Sequence, residues 1–402
     1  MANLPVKWFH SMFRGIPQIS RGVGKLKAVL DACLVDGFGQ VPSISATITD
    51  NVLTINLPSG QTFELNSVVD VSGDDILKGE YRVINTDTTF IQLSVNLPNQ
   101  AFVNTLYVKY ASLGWTKVTP ASSPNCALYI PKESHSGFRL WVKDDYTNAA
   151  IVRICRGVAS TSDVSSFQNL IDAVPFGEGN NCWLKSNDNT SGTRAFFLIG
   201  DGSLLYYQWC STQHNNSYAY LRTGRTMVCG DINRYYPNDN YAAVLTNSIR
   251  NPNNFSSENS PDSFNLMSNR NSNYHNTAGN TYKTFLGSSR NVKGECFAGR
   301  VPNGPYSTSW SGRGGYAIGK SLTNNLSLQK ILAVEEDLIR GEYPGSYFIP
   351  FAMESMVDLT FEKGAGDLQG KILLFKISGT TEGYYDEGNP TVMAFDITGP
   401  WR

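Results

Sequence analysis

Long hydrophobic runs are missing from this chain of 402 residues. No window approaches the roughly 18 uninterrupted apolar residues that a membrane-crossing helix needs, so no membrane insertion is expected. The first residues, MANLPVKWFHSMFRG, have no continuous apolar core and no small-residue cleavage site, so no secretory signal is expected either. Charge is scarce and balanced. Charged residues are 17%, and 33 Lys plus Arg face 34 Asp plus Glu, for a net charge of -1. That balance gives no bulk pull toward an anionic polymer, and no nucleic-acid partner is expected. Closely spaced metal ligands are absent too. Cys33, Cys126, Cys155, Cys182, Cys210, Cys229 and Cys296 are dispersed, with no CxxC pair to aim two sulfurs at one centre. Their odd number leaves at least one thiol unpaired within the chain, and the plain reading is buried free thiols made in a reducing compartment. His10, His135, His214 and His275 form neither HxH nor HExxH. No metal and no cofactor is expected.

What is abundant points to β structure. Aromatics make up 12%, with 20 Tyr and 20 Phe, and Gly numbers 36. Tyr and Phe favour strands and interfaces, while Gly and Asn weaken helices. The expected fold is mainly β, with one N-terminal helix, a small β-barrel or sandwich domain, and a larger β-sandwich-like domain carrying a long loop insertion.

Three segments follow. Residues 1–37 form an arm and a helix. The arm is aromatic and basic, is broken by Pro5 and Pro17, and cannot build its own core. It is either a strap across its own domain or an arm reaching a neighbouring subunit. Trp8, Phe9, Phe13 and Arg14 are its candidate interface residues. Ile19, Val23, Leu26, Leu30, Cys33 and Leu34 recur at steps of three and four and predict a helix over 19–35, with Ser20 as N-cap and Gly37 and Gly39 as the stop. Residues 38–113 hold short alternating runs around Ile44–Ile48, Val52–Ile55, Phe63–Leu65, Val68–Val71, Tyr81–Ile84, Phe90–Leu93 and Leu106–Tyr110. With a turn at Asp50-Asn51, they read as one compact β domain. Residues 114–402 continue the β pattern, with hairpins over 138–155 and 196–209 and closing strands at 371–376 and 391–397. Residues 326–339 are ambiguous between helix and strand. Between Asn247 and Asn280 lie eleven asparagines, and the stretch 247–291 is expected to be a long loop. Phe255, Phe264 and Tyr274 are its candidate interface residues.

Several segments, in order, resemble a known family. GIPQISRGVGKLKAVLDACLVDGFG, from Gly15 to Gly39, resembles the N-terminus of virion structural proteins of tailed bacteriophages. VVDVSGDDILKGEYRVINTDTTF is similar to a small β module common in phage tail proteins, through Val69, Val71, Gly73, Leu77, Gly79, Tyr81, Val83, Thr88, Thr89 and Phe90. Trp183, Lys185 and Ser186, then Gly200 and Asp201, then Gly230, Asp231 and Tyr235 fit the same pattern. RGEYPGSYFIPF is similar to the family's Arg-Gly-x-x-Pro-Gly segment, here Arg340, Gly341, Pro344, Gly345 and Pro350. The Asn-rich stretch departs from the family. The resemblance implies a strand at 328–337 and no catalytic residues to carry over. It implies a structural part of the virion, in the tail, baseplate or neck, whose partners are copies of itself and other phage structural proteins.

A glycosidase needs two carboxylates flanking a sugar bond. The candidates Asp74-Asp75, Asp144-Asp145, Asp201 and Asp231 sit in turns, where Asp ordinarily bonds local amides; Glu335-Glu336 lies near a strand end. Ser311-Gly312-Arg313-Gly314-Gly315 lacks the lysine of a phosphate-binding loop. A tail receptor-binding or depolymerase component with a host surface glycan as partner is the competing reading, with Tyr218, Tyr220, Tyr274 and Tyr282 as stacking candidates. The primary expectation is a non-enzymatic assembly protein.

Overall fold

The structure is a computed structural model. It describes residues 6–120, 123–156, 182–186, 191–213, 224–240, 242–246, 277–285, 292–298, 328–335, 338–349, 358–378 and 391–402. The fold is mainly β, with 52% strand and 6% helix, arranged in antiparallel sheets.

The small domain is an eight-stranded sheet. Its strands run from Phe38–Pro42 to Tyr107–Tyr110. Alternation governs here. Ser45–Thr49 reads exposed-buried-exposed-buried-exposed, and Val52–Asn56 follows the same period. One face is wet and the other fills the core, as antiparallel sheets allow. Asp50 and Asn51 take φ of 53° and 63°, the left-handed pair of a tight hairpin turn whose twist matches the flanking strands. Phe63–Leu65 is not a strand, although Phe63 is buried. Two short strands, Phe38–Pro42 and Gln100–Phe102, complete the edges.

The rest of the chain builds a five-stranded meander, from Thr116–Val118 to Cys182–Leu184, and a fourteen-stranded sheet. The large sheet folds over itself. Tyr206 lies 5.2 Å from Phe395 and 5.8 Å from Trp401, and Phe197 lies 5.8 Å from Phe395. On the opposite face Tyr207 stacks on Trp183 of the meander at 5.4 Å. Strands Thr193–Gly200 and Leu204–Gln213 are therefore a middle layer, covered on both sides. Their burial is nearly continuous, from Arg194 to Gly200 in the first. A two-sided core demands apolar residues at successive positions, which explains Phe196–Ile199 and Leu204–Tyr207.

One N-terminal expectation needs correction, and one open pair of alternatives is decided. First, the helix is shorter. Ile19–Ser20 is a strand, the α-helix spans Lys25–Leu30, and a wider π-type turn follows over Asp31–Asp36. Ser20 caps nothing. Gly24 holds the N-cap position without a side-chain bond, and the first-turn amide of Lys27 donates to Asp144 Oδ2 at 3.0 Å. The cap thus comes from a distant hairpin turn. Val23 is exposed, while the other five stripe residues are buried. Second, the arm is not free for a neighbour. Lys7–His10 pairs with Thr193–Gly200, and all four of its residues are buried. Phe9 and Phe13 reach the small domain, with Phe13 4.6 Å from Tyr110 and Phe9 5.7 Å from Phe38. Trp8 packs 5.6 Å from Phe361. The Arg14 guanidinium sits 5.0 Å over the Phe63 ring and donates to the Gly39 carbonyl. The strap reading is the one found: the arm pairs with the edge of strand Thr193–Gly200 and buries its rings on its own chain. Buried side chains form one continuous cluster from Val6 to Trp401.

Elsewhere, both hairpins form as expected. The ambiguous 326–339 stretch is a strand at Gln329–Glu335. The closing strands are Ile372–Ser378 and Thr391–Asp396. Within the expected loop at 247–291, Thr277–Phe285 is a strand, paired with Val292–Ala298. Phe255, Phe264 and Tyr274 lie outside the described residues. Among the described residues, no helix is long and apolar enough to cross a membrane.

Candidate functional site

The candidate carboxylates sort by what they touch. Asp74 Oδ1 accepts the Ile76 amide at 2.9 Å, a local turn bond. Asp144 and Lys185 are a fully buried ion pair, both side chains at 0% exposure. The Lys185 ammonium also donates to the carbonyls of Gly22 (2.5 Å) and Tyr146 (2.6 Å). Burial pushes the Asp144 carboxyl up and pulls the Lys185 ammonium down, each opposed by its partner's charge. The pair knots three stretches together: the loop before the helix, the hairpin turn, and strand Cys182–Leu184. Asp145 faces Lys143 at 3.7 Å near the surface. The side chain of Glu335, and Glu336 as a whole, lie outside the described set.

Asp201 and Asp231 come together at one end of the large sheet. Asp201 Oδ1 accepts the amides of Ser203 and Leu204, both at 2.8 Å, which closes the hairpin turn. Its Oδ2 faces Arg402 Nη1 at 3.6 Å. Burial raises its carboxyl above the usual range, and Arg402 opposes the shift. Asp231 is fully buried and receives a loop of the meander. Ser134 Oγ (2.9 Å), the His135 amide (2.8 Å) and Ser136 Oγ all donate to its carboxylate, and His135 Nδ1 lies 3.2 Å away. Burial pulls the His135 imidazole below its ordinary value, Asp231 opposes, and Arg234 and Arg402 add to the lowering. Serine, histidine and aspartate thus meet. Their order is that of an anchor, because both hydroxyls donate to the carboxylate and none is aimed at the imidazole as a nucleophile would be.

Beside this seam lies a cavity of about 150 Å³. Lys132, Glu133, Asp201, Ser203 and Arg402 line its polar side, and Leu113, Pro400 and Trp401 its apolar side. Sequence reasoning weighed Asp201 but missed the cavity, whose walls come from the arm, the interdomain link, a meander loop, a large-sheet turn and the C-terminal residues.

His10 is buried, and its Nδ1 accepts the Met12 amide at 3.1 Å. His214 and His275 lie outside the described residues. Cys33, Cys126, Cys155 and Cys229 are free and buried, and Cys182 is buried as well. Burial raises the Cys155 thiol to about 12, away from the reactive thiolate. Among the described residues no group of three His, Cys, Asp or Glu side chains could hold a metal ion.

A different surface was not singled out by the sequence. Ile44 (70% exposed), Ile76 (53%), Val103 (99%) and Tyr107 (41%) stand on adjoining segments of the small domain. The Ser43 amide donates to the Leu106 carbonyl at 2.7 Å, Ala46 pairs with Phe102, and a Cβ on Gly73 would strike the Thr105 carbonyl. These contacts place the four residues at one end of the eight-stranded sheet. The available signal was an apolar Val103 inside the turn-forming run Phe102-Val103-Asn104-Thr105. No family model matches this chain, and no curated protein gives a significant match.

Proposed function

We propose that this chain is a structural component of a tailed-phage virion, placed in the tail, baseplate or neck, that works by contact with copies of itself and with other structural proteins. The observation that carries the reading is the apolar cluster of Ile44, Ile76, Val103 and Tyr107. A valine 99% exposed and an isoleucine 70% exposed, at the same end of one sheet, gain nothing in a lone molecule. Grouped apolar exposure is what a protein–protein contact requires. The sequence resemblance supplies the kind of particle. It also agrees with what the resembling residues do: Lys185, Asp201, Asp231 and Arg340 all brace the fold.

The test is uptake into particles. Val103→Asp combined with Ile44→Ser should leave the melting temperature nearly unchanged, since exposed positions contribute within about 0.5 kcal/mol. In complementation of a phage lacking the protein, the double variant should be missing from purified virions. Normal incorporation would remove the support this surface gives.

A further inference from the structure

A bare sheet edge is a row of amides and carbonyls ready to pair with another strand, and folded proteins ordinarily cover, charge or interrupt it. Among the described residues the three sheets end in six strands. Five of these are dealt with. Lys7–His10 and Cys182–Leu184 are buried along their whole length. Thr360–Lys363 carries the exposed charges Glu362 and Lys363. Lys117, in Thr116–Val118, pairs with Asp31 and Asp36. Phe38–Pro42 lies under the arm, where Arg14 donates to the Gly39 carbonyl and a Cβ on Gly15 would strike Gly39. The sixth, Gln100–Phe102, has none of these covers. It pairs with Ser45–Thr49 on one side and with no described strand on the other. It contains no charge and no proline; Ala101 is exposed, and Val103 follows at 99% exposure.

The missing charge extends inward from that edge. The next three strands, Ser45–Thr49, Val52–Asn56 and Phe90–Ser94, contain no Asp, Glu, Lys or Arg, although alternate positions of each are exposed or half-buried. The chain has no charged residue at all between Asp87 and Lys109. This lack of charge points to the occupant. In a contact about a two-fold axis each group near the axis faces its own copy, so a charge of either sign there repels itself. A partner of different sequence carries no such restriction, and complementary charges ordinarily select it. An uncharged half-sheet with one open edge therefore suits a second copy of this chain. We infer that Gln100–Phe102 pairs antiparallel with the same strand of a second copy, joining two eight-stranded sheets into one and covering Val103 and Ile44 at the ends of the seam. The inference rests on the reading of the Ile44–Val103 end as a contact surface, and it names the partner.

The full-length protein is followed by sedimentation velocity from the micromolar range upward. The wild type should pass from monomer to dimer as concentration rises. Ala101→Lys and Ala101→Glu each set like charges against one another across the axis. Each should weaken dimerisation about tenfold or more and leave the melting temperature unmoved, because the position is exposed. An equimolar mixture of the two variants should dimerise again, since opposite charges then meet; a partner other than a copy gives no such rescue. Val103→Asp, beyond the end of the strand, should also weaken the dimer and keeps the test valid if the Ala101 variants unfold. A wild type that stays monomeric, a dimer indifferent to these charges, or a mixture no tighter than either variant alone would overturn the pairing. The two readings fail separately. A monomeric wild type whose Val103→Asp, Ile44→Ser variant is missing from virions puts a different protein on this surface and refutes only the self-pairing. A dimer abolished by the variants, with normal uptake into particles, supports the pairing and removes the virion role from this surface.

Discussion

Lys185 shows how much one side chain can hold. It neutralises the only charge of Asp144, satisfies two loop carbonyls, and so fixes the carboxylate that caps the helix. Desolvation is large for both groups, so the pair as a unit need not stabilise relative to an apolar substitute. Breaking it is another matter. Lys185→Met leaves a buried carboxylate alone and should cost about 3–5 kcal/mol in urea unfolding. His135 makes a pH-dependent contribution of known sign. Its folded pKa is lowered, chiefly by burial, so the unfolded chain takes up the proton first. Its share of stability is complete above the ordinary value of about 6.5 and is lost as pH falls from there toward the depressed folded value. Melting curves between neutrality and mildly acid pH should therefore fall more steeply for the wild type than for His135→Gln. Equal slopes would mean that the imidazole is not partly desolvated beside Asp231 as described. The sequence marked Lys185 only through resemblance, and Asp231 through resemblance and as one of several turn carboxylates. Nothing in their local spacing tells a turn aspartate that bonds its own amides from one that anchors a loop of another sheet.

Among the elements, the Arg-Gly-x-x-Pro-Gly segment and the arm carry the most. Arg340 makes a two-pronged pair with Asp239, at 2.6 and 2.7 Å, which locks the turn after Asn233–Arg234. Gly341 lies flat against the Asn233 backbone. The Pro344 carbonyl accepts the Tyr206 hydroxyl at 2.8 Å. Gly345 has φ of 67° and sits under the Trp401 ring, so a methyl there meets both backbone strain and the indole. Gly345→Ala should cost more than about 3 kcal/mol, read as a fall in the thermal midpoint. It should also perturb Trp401 fluorescence. The arm has equal weight. Trp8, Phe9 and Phe13 each bury nearly their whole side chain, worth about 1.5–3 kcal/mol apiece as upper estimates. Deleting residues 1–17 should give an insoluble or strongly destabilised protein. A soluble truncated chain with a wild-type melting temperature would show that the strap is dispensable. The sequence placed aromatic residues in the arm but left the covering surface open, since an arm with no core of its own carries no mark of whose core it joins.

For the whole molecule, one core runs from the arm through the small sheet to the last strands, so local damage should be felt globally in a single unfolding transition. The Ile44–Val103 surface lies apart from that core, and its variants are expected to separate assembly from folding. Composition and periodicity by themselves determined the fold class, six of the eight strands of the small sheet, the two hairpins and the tight turn at Asp50-Asn51. Each depends on neighbours close in sequence and on one wet face that leaves its alternation in view. Tertiary structure alone decided the middle layer of the large sheet, where burial on both sides erases alternation. It also decided the shortened helix, whose cap arrives from another hairpin, and the fate of the arm. The cavity beside Asp201 belongs to this second group, because its walls are contributed by segments from Lys7 to Arg402 and exist only once the chain has closed on itself.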